Sequence, residues 1–288
     1  MIGQGREEYR SLKAGDTERR GQMEQVCIPE KIQSIIGTKE YSVDNVGMSD
    51  SQVRIYDEFV LKIQPQSTET GNEVEIARWV GNKIPIPTII EYCVVNGISY
   101  TLMTKIDGEM LCSAEYLEQP KRLIRLVAQG LKKLWKIDVK ACPYQTSRLN
   151  ERLKIAEYNV NNNLVDLSSA EPETFGENGF ADSKELLNWL KSNRPEEDIV
   201  LTHGDYCLPN IFVKENKISG FIDIGKMGPA DRWQDIAIAI RSLKHNFDGK
   251  YTGGDKIFDF NPQMLLDELG INFDEQKYKY YILLDELF

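Results

Sequence analysis

Only two histidines occur in the 288 residues, and the five cysteines, at 27, 93, 112, 142 and 207, form no Cys-x-x-Cys pair. Zinc centres built on Cys and His are therefore disfavoured, as are disulfide scaffolds; the cysteines read as reduced thiols. No apolar run approaches the ~20 residues that span a bilayer, and the opening MIGQGREEYRSLKAGDTERRGQ lacks the apolar stretch of a secretion signal. The reading is a cytoplasmic protein with no membrane partner, carrying a polar, disordered tail over residues 1–22. Basic residues are also in deficit. Against 35 Lys and Arg stand 45 Asp and Glu, a net charge of -10, which argues against nucleic acid and is compatible with a cationic partner. No obligate protein partner is indicated. What is present is an ordinary globular composition, 41% hydrophobic. At this length roughly three-quarters of the extended surface is buried on folding, enough for a core without staples.

The local patterns divide the chain in two. Ile28 to Ile36 fits a short helix stopped by Gly37, and strand-like pieces follow at Tyr41 to Val46, Gln52 to Tyr56 and Phe59 to Ile63. Their short spacers suit antiparallel hairpins. Glu73 to Val80 reads as a helix closed by Gly81 and the Pro85/Pro87 pair, and Asn96-Gly97 marks a two-residue hairpin turn. Beyond about Met103 the period becomes helical. Residues 121–137 and 148–164 place apolar side chains on one face, and Asp182 with Glu185 forms a candidate capping box. A hairpin around Glu215-Asn216-Lys217 and helices at Asp235 to Lys244 and Gln276 to Leu287 complete the reading, with an acidic, structure-poor stretch between Leu167 and Ala181. The expected fold is α+β and bilobal: an antiparallel-sheet lobe over 23–104 and a mostly helical lobe over 105–288, with a cleft between them.

The densest polar cluster is LTHGDYCLPNIFV at 201–213, followed by GFIDIGKMGPADRWQD at 220–235. Two apolar arms hold His203, Asp205 and Asn210 in an irregular turn, expected at the rim of one hairpin with Asp223. Their oxygens suit Mg²⁺, and an Asp, an Asn five residues on and then a strand-borne Asp is the order in which kinase-type phosphotransferases supply base and metal ligands. His203 is expected to be an oriented loop residue, not an acid or base. In the first half, Lys62 lies on a strand opposite in face to Leu61 and Ile63, where it can bridge phosphate oxygens with Glu73 orienting it. Gly47-Met48-Ser49 can present backbone N–H groups and a hydroxyl to phosphate.

The stretches HGDYCLPN, FIDIGKMGPADRWQDIA, VLKI with Glu73, the KIPIP connector and the terminal YYILLDELF resemble the kanamycin-type aminoglycoside 3′-phosphotransferases, from about residue 28 to Phe288. The resemblance implies a protein-kinase-like fold that uses ATP and two Mg²⁺ ions to phosphorylate the 3′-hydroxyl of a polycationic aminoglycoside antibiotic, conferring resistance. It implies Asp205 as catalytic aspartate, Asn210 and Asp223 as metal ligands, and Lys62 with Glu73 at the phosphates. Met48 and Ser49 would contact the nucleotide, and Met103, Thr104 and Ile106 would meet adenine through backbone hydrogen bonds of the 103–106 segment. Arg241, Asp285, Glu286 and Phe288 match the antibiotic pocket, with Glu171, Glu173 and Glu177 competing for the acidic insertion. Asp231 and Asp235 are expected to brace the catalytic loop. His245 and Asn246 stand where acidic residues occur in the family. Two other readings stay open: a kinase of another small alcohol or a macrolide, and a catalytically silent nucleotide-binding protein.

Overall fold

The computed structural model describes residues 27–43, 51–168, 170–177, 179–251 and 253–288. The expected polar tail, and the Gly47-Met48-Ser49 nucleotide loop, lie outside the described residues.

The fold is α+β and bilobal. Helix α1 (Glu30–Ile36) leads into β1 (Ser42–Val43), β2 (Gln52–Ile55) and β3 (Phe59–Pro65), and β4 (Ile89–Val95) and β5 (Ile98–Thr104) complete an antiparallel sheet of order β1-β2-β3-β5-β4. Asn96 and Gly97, both at positive φ, make the β4/β5 turn expected of them. Leu61 and Ile63 are fully buried with Ile32, Tyr100 and Leu102 in a small core. Each such side chain contributes about 1.5–3 kcal/mol by leaving water, and a one-residue slip would exchange them for Lys62. That alternation fixes the register and leaves Lys62 on the opposite face.

Helix α2 (Thr68–Val80) starts five residues before the expected Glu73. Ser67 caps it: its hydroxyl accepts the Thr70 N–H while the Thr70 hydroxyl accepts the Ser67 N–H. The apolar face of α2, Ile76, Ala77 and Val80, joins the core of the large lobe instead of the small one. Tyr144 of the large lobe also donates its hydroxyl to Thr68 O at 3.0 Å. The chain crosses between lobes near residue 104, yet the packing boundary leaves α2 with the second.

The large lobe is built from β6 (Glu109–Met110), α3 (Ala114–Leu117), α4 (Pro120–Trp135), α5 (Leu149–Asn161), α6 (Ser183–Ser192), β7 (Ile199–Thr202), β8 (Ile211–Lys214), β9 (Lys217–Phe221), β10 (Gly228–Asp231), α7 (Arg232–Phe247), α8 (Pro262–Leu269) and α9 (Glu275–Asp285). Helix α4 buries Leu123, Val127, Leu131 and Leu134, the stripe read from the sequence. Asp182 caps α6 through the Lys184 and Glu185 N–H groups, but the Glu185 carboxylate accepts from Ala181 instead of closing the expected box on Asp182.

The single hairpin expected to carry Asp205, Asn210 and Asp223 is corrected. Strands β7 and β8, which flank the 203–210 turn, do not pair with each other: β7 pairs with β10, while β8 pairs with β9 and β6. The GPAD sequence of β10 hides a strand because Gly and Pro are poor strand formers. The turn is thus slung between two small sheets, and Asp223 lies two residues past the end of β9. No helix among the described residues is long and apolar enough to cross a membrane.

Candidate active site

Lys62, from β3, reaches across the junction of the lobes. Its Nζ stands 2.6 Å from Asp223 Oδ1 and 3.8 Å from Glu73 Oε2 of α2. Burial works to lower the ammonium's pKa, but Glu73 and Asp223 overcome it and hold it above the usual lysine value. Glu73 is itself pushed up by burial, against the pull of Lys62. Burial also works to raise Asp223, but Lys62 outweighs it and the carboxyl lies below the usual range, so it is ionised at neutral pH. The Asp223 side chain remains 48% exposed, and its backbone is left-handed at φ 58° and ψ 51°. An aspartate held in that conformation stores local strain and must be held by its surroundings.

Asp205 sits in the turn after β7. Asn210 Nδ2 donates to the Asp205 carbonyl at 3.0 Å and to Asp205 Oδ2 at 3.2 Å, leaving Asn210 Oδ1 as the amide's acceptor. The Asp205 N–H donates to His203 Nδ1 at 3.3 Å, and the other ring nitrogen faces Ile222 O at 3.0 Å. These partners fit the neutral imidazole with its proton on Nε2. Full burial lowers the His203 pKa in the same sense, so His203 is an orienting ring. Gly204 takes φ 85°, and a Cβ there would come within 2.3 Å of Lys226 O, so this position requires glycine.

Helix α7 organises what lies beneath. Asp235, in its first turn, accepts the His203 N–H at 2.6 Å and the Gly204 N–H at 2.9 Å. Burial pushes its carboxyl up to about 7 despite those bonds. Asp231, expected to share the bracing, instead caps α7 at Trp233 N and pairs with Lys277 of α9 at 2.8 Å. Two turns along α7, Ser242 Oγ accepts the Leu208 N–H of the 203–210 turn at 3.0 Å.

The far end of α7 supports a second charged cluster. Arg241 pairs with Asp285 and stands 4.0 Å from Glu286, and Arg152 of α5 lies 3.6 Å from Asp285. The Arg152 guanidinium also covers the Phe288 ring at 4.1 Å from its centroid. Glu286 accepts the Glu171 N–H at 3.2 Å, tying the acidic insertion to the chain terminus. Glu171 is in turn held by His245 at 3.1 Å and Lys250 at 3.5 Å, while His245 Nδ1 meets the Tyr251 hydroxyl at 3.1 Å. Of the three competing glutamates, Glu171 enters the cluster; Glu173 and Glu177 stay exposed on the same segment. Arg152 feels the charges of both Asp285 and Asp205, so the two clusters share one electrostatic neighbourhood.

Residues 40–261 match the phosphotransferase enzyme family. The chain is 35% identical over 284 residues to an aminoglycoside 3′-phosphotransferase of Enterococcus faecalis, covering 98% of this chain and 95% of that protein. The chain belongs to the aminoglycoside 3′-phosphotransferase family. A second member, from Staphylococcus aureus, is 38% identical over 222 residues, covering 76% of this chain and 80% of that one. In fold, the chain resembles the crystal structure of an aminoglycoside 3′-phosphotransferase of type VIII, with a TM-score of 0.74 at 24% identity over 90% of this chain and 97% of the other.

As a family member the chain is an enzyme of phosphoryl transfer, and its geometry brings Lys62, Glu73, Asp205, Asn210 and Asp223 to one junction. The connecting segment differs in detail from the reading. Met103 is buried in β5, the Thr104 N–H donates to Thr88 O and the Lys105 N–H to Glu58 O, both at 3.0 Å. Two backbone donors expected for adenine are thus already used by the fold. Ile106 packs its side chain against Gly220 of β9. Two residues of the site stand outside the motif residues named above: Ser242, and Lys226, whose charge reaches Asp223 and Asp285. Lys226 lies three residues after Asp223 in the motif, and that spacing was the available signal.

Proposed function

We propose that this enzyme transfers the γ-phosphoryl group of ATP to the 3′-hydroxyl of an aminoglycoside. The observation that carries the reading is the meeting of Lys62, Glu73 and Asp223 with the Asp205–Asn210 pair, joined where the Ile222 N–H beside Asp223 donates to Asn210 O at 3.1 Å. The regiochemistry rests on likeness to relatives named for 3′ transfer.

In this reading Lys62, steadied by Glu73, leaves Asp223 to bind the α- and β-phosphates. Asn210 Oδ1 and the Asp223 carboxylate are hard oxygen donors, half-open to solvent in the case of Asp223, and suit an ion that completes its shell with phosphate and water. Mg²⁺ held there would neutralise charge on the transferring phosphoryl group. Asn210 engages one Asp205 oxygen, and the other accepts the hydroxyl proton as the sugar oxygen bonds to γ-phosphorus and the bond from γ-phosphorus to the β-bridging oxygen breaks. Asp235 and Ser242 hold the backbone of that turn, so orientation is built in before substrate arrives. Ammonium groups of the substrate pair with Glu171, Asp285, Glu286 and the Phe288 carboxylate.

Coupled-assay ATP turnover with kanamycin, neomycin, spectinomycin and erythromycin, side by side, tests this. Turnover with kanamycin and neomycin is expected; turnover with erythromycin alone would move the substrate to macrolides, and turnover with none would remove the reading.

A further inference from the structure

Three successive carbonyl groups after Asp223 are each captured by a side chain. Asn72 Nδ2 donates to Gly225 O at 2.6 Å and to Met227 O at 3.2 Å, while Ser147 Oγ donates to Lys226 O between them at 2.9 Å. Ser147 belongs to the large lobe; Asn72 belongs to α2 and immediately precedes Glu73. The amide orientation follows from chemistry, since an amide oxygen turned toward two carbonyls would be repelled. Asn72 is 1% exposed, and its Oδ1 is buried with no hydrogen-bond partner among the described residues. A buried acceptor left unpaired costs stability, and an apolar side chain would fill this space without that cost. The asparagine therefore has a local purpose, and its two bonds identify it.

The contact is close along its whole length. A Cβ at Gly225 would stand 3.0 Å from Glu69 O, so the turn after Asp223 rests directly on the first turns of α2. Glu73 follows Asn72 in α2, and Asp223 precedes Gly225 by two residues in the turn. One amide thus ties the segment that carries the partner of Lys62 to the segment that carries Asp223, whose left-handed backbone needs external support.

We infer that Asn72 is a positioning residue: it latches α2 to the Ile224–Met227 turn and so sets the spacing of Lys62 and Glu73 from Asp223, and with it the affinity for Mg-nucleotide. The affinity readout rests on the ATP reading above; the latch itself does not. Asn72→Ala is expected to weaken MgATP binding by about tenfold in calorimetry, with aminoglycoside KM within about twofold of wild type. Amide exchange in 68–80 and 224–227 of the ligand-free enzyme is expected to quicken. Asn72→Asp keeps the shape but turns a carboxylate on two carbonyls, and is expected to bind MgATP more weakly still. Gly225→Ala presses the same contact from the other side, so it provides the test even if the Asn72 variants fold poorly. Its effect is expected to be non-additive with Asn72→Ala. A merely structural asparagine would lower Tm and leave MgATP affinity unchanged in the folded protein. Unchanged exchange in 224–227 for Asn72→Ala, or additive effects in the double variant, would overturn the latch. If wild type bound no MgATP, the nucleotide reading would fall, and the exchange measurement would still decide the latch.

Discussion

The charged cluster at the lobe junction and the one beside the far end of α7 differ in how their charge is balanced. At the lobe junction one ammonium, Lys62, faces two carboxylates, Glu73 and Asp223, and Asp223 is half-exposed. At the chain terminus Asp285 has Arg241 and Arg152, and Glu171 has His245 and Lys250. Burial works to raise Asp285, but the two arginines outweigh it and keep its pKa below the ordinary value. The first cluster carries surplus negative charge suited to a hard cation. In the second, three standing cations, Arg241, Arg152 and Lys250, face three carboxylates, Asp285, Glu286 and Glu171, because burial lowers the His245 pKa and keeps that ring from adding a charge at neutral pH; in the proposed reading a polycationic substrate would compete with Lys250 for Glu171. The acidic pocket read from sequence is acidic in composition and nearly balanced in structure.

The largest effects are expected at the junction. Asp205→Ala is expected to lower kcat by about 10²–10⁴, the usual contribution of a positioned base, with MgATP affinity within a few-fold of wild type. Single-turnover kinetics beside nucleotide calorimetry checks it. Next in size, Asp223→Ala should weaken Mg²⁺-dependent nucleotide binding about tenfold more than Asn210→Ala, because a charge-assisted contact is worth about 1.5–3 kcal/mol. Equal losses would mean that surplus charge is not what the junction supplies.

The link between the clusters is tested through Asp235. Its folded pKa of about 7 lies above the ~3.9 of an unfolded aspartate, so between those values the folded protein holds the extra proton. Stability contributed by this group therefore falls as pH rises from about 4 to about 7 and is level above that. Asp235→Asn removes the slope, and the Tm difference between wild type and variant should narrow across that window in calorimetry. A constant difference would place the proton elsewhere. The smallest effect is expected at the terminus. Lys250→Met frees Glu171 from an ion pair whose lysine is 46% exposed, so aminoglycoside KM should fall only about two- to threefold, in line with the 0.2–1 kcal/mol of exposed pairs. A raised KM would show Lys250 helping to hold the substrate instead.

The same two regions explain what was legible. The junction groups stand in short contiguous motifs, VLKI at 60–63, HGDYCLPN at 203–210 and FIDIG at 221–225, which mark them in the sequence although Lys62 and Asp223 meet across 161 positions. The terminal cluster draws on α5, the 171 region, α7 and the chain end, and its pairings depend on helix packing that no local pattern encodes. Arg152 reads as one more polar residue of an amphipathic helix, yet packing buries it between Asp285 and Phe288. The start of helix α2 is hidden in the sequence because Thr68 to Asn72 is rich in residues that favour turns, while its Ser67/Thr70 box uses Thr where Glu or Gln is usual. Helix α8, by contrast, carries signals of the ordinary kind: Asn261 caps it, Pro262 opens it and Gly270 closes it in the left-handed region.

Regiospecific phosphoryl transfer is tested by comparing kanamycin with a 3′-deoxy aminoglycoside of otherwise similar charge. With MgATP and wild-type enzyme, phosphorus NMR and mass spectrometry of the products should reveal a single phosphate ester at the 3′ oxygen of kanamycin. The 3′-deoxy compound should bind, as a competitive inhibitor, and remain unmodified. Phosphorylation of the 3′-deoxy compound, or an ester at another oxygen of kanamycin, would contradict the account.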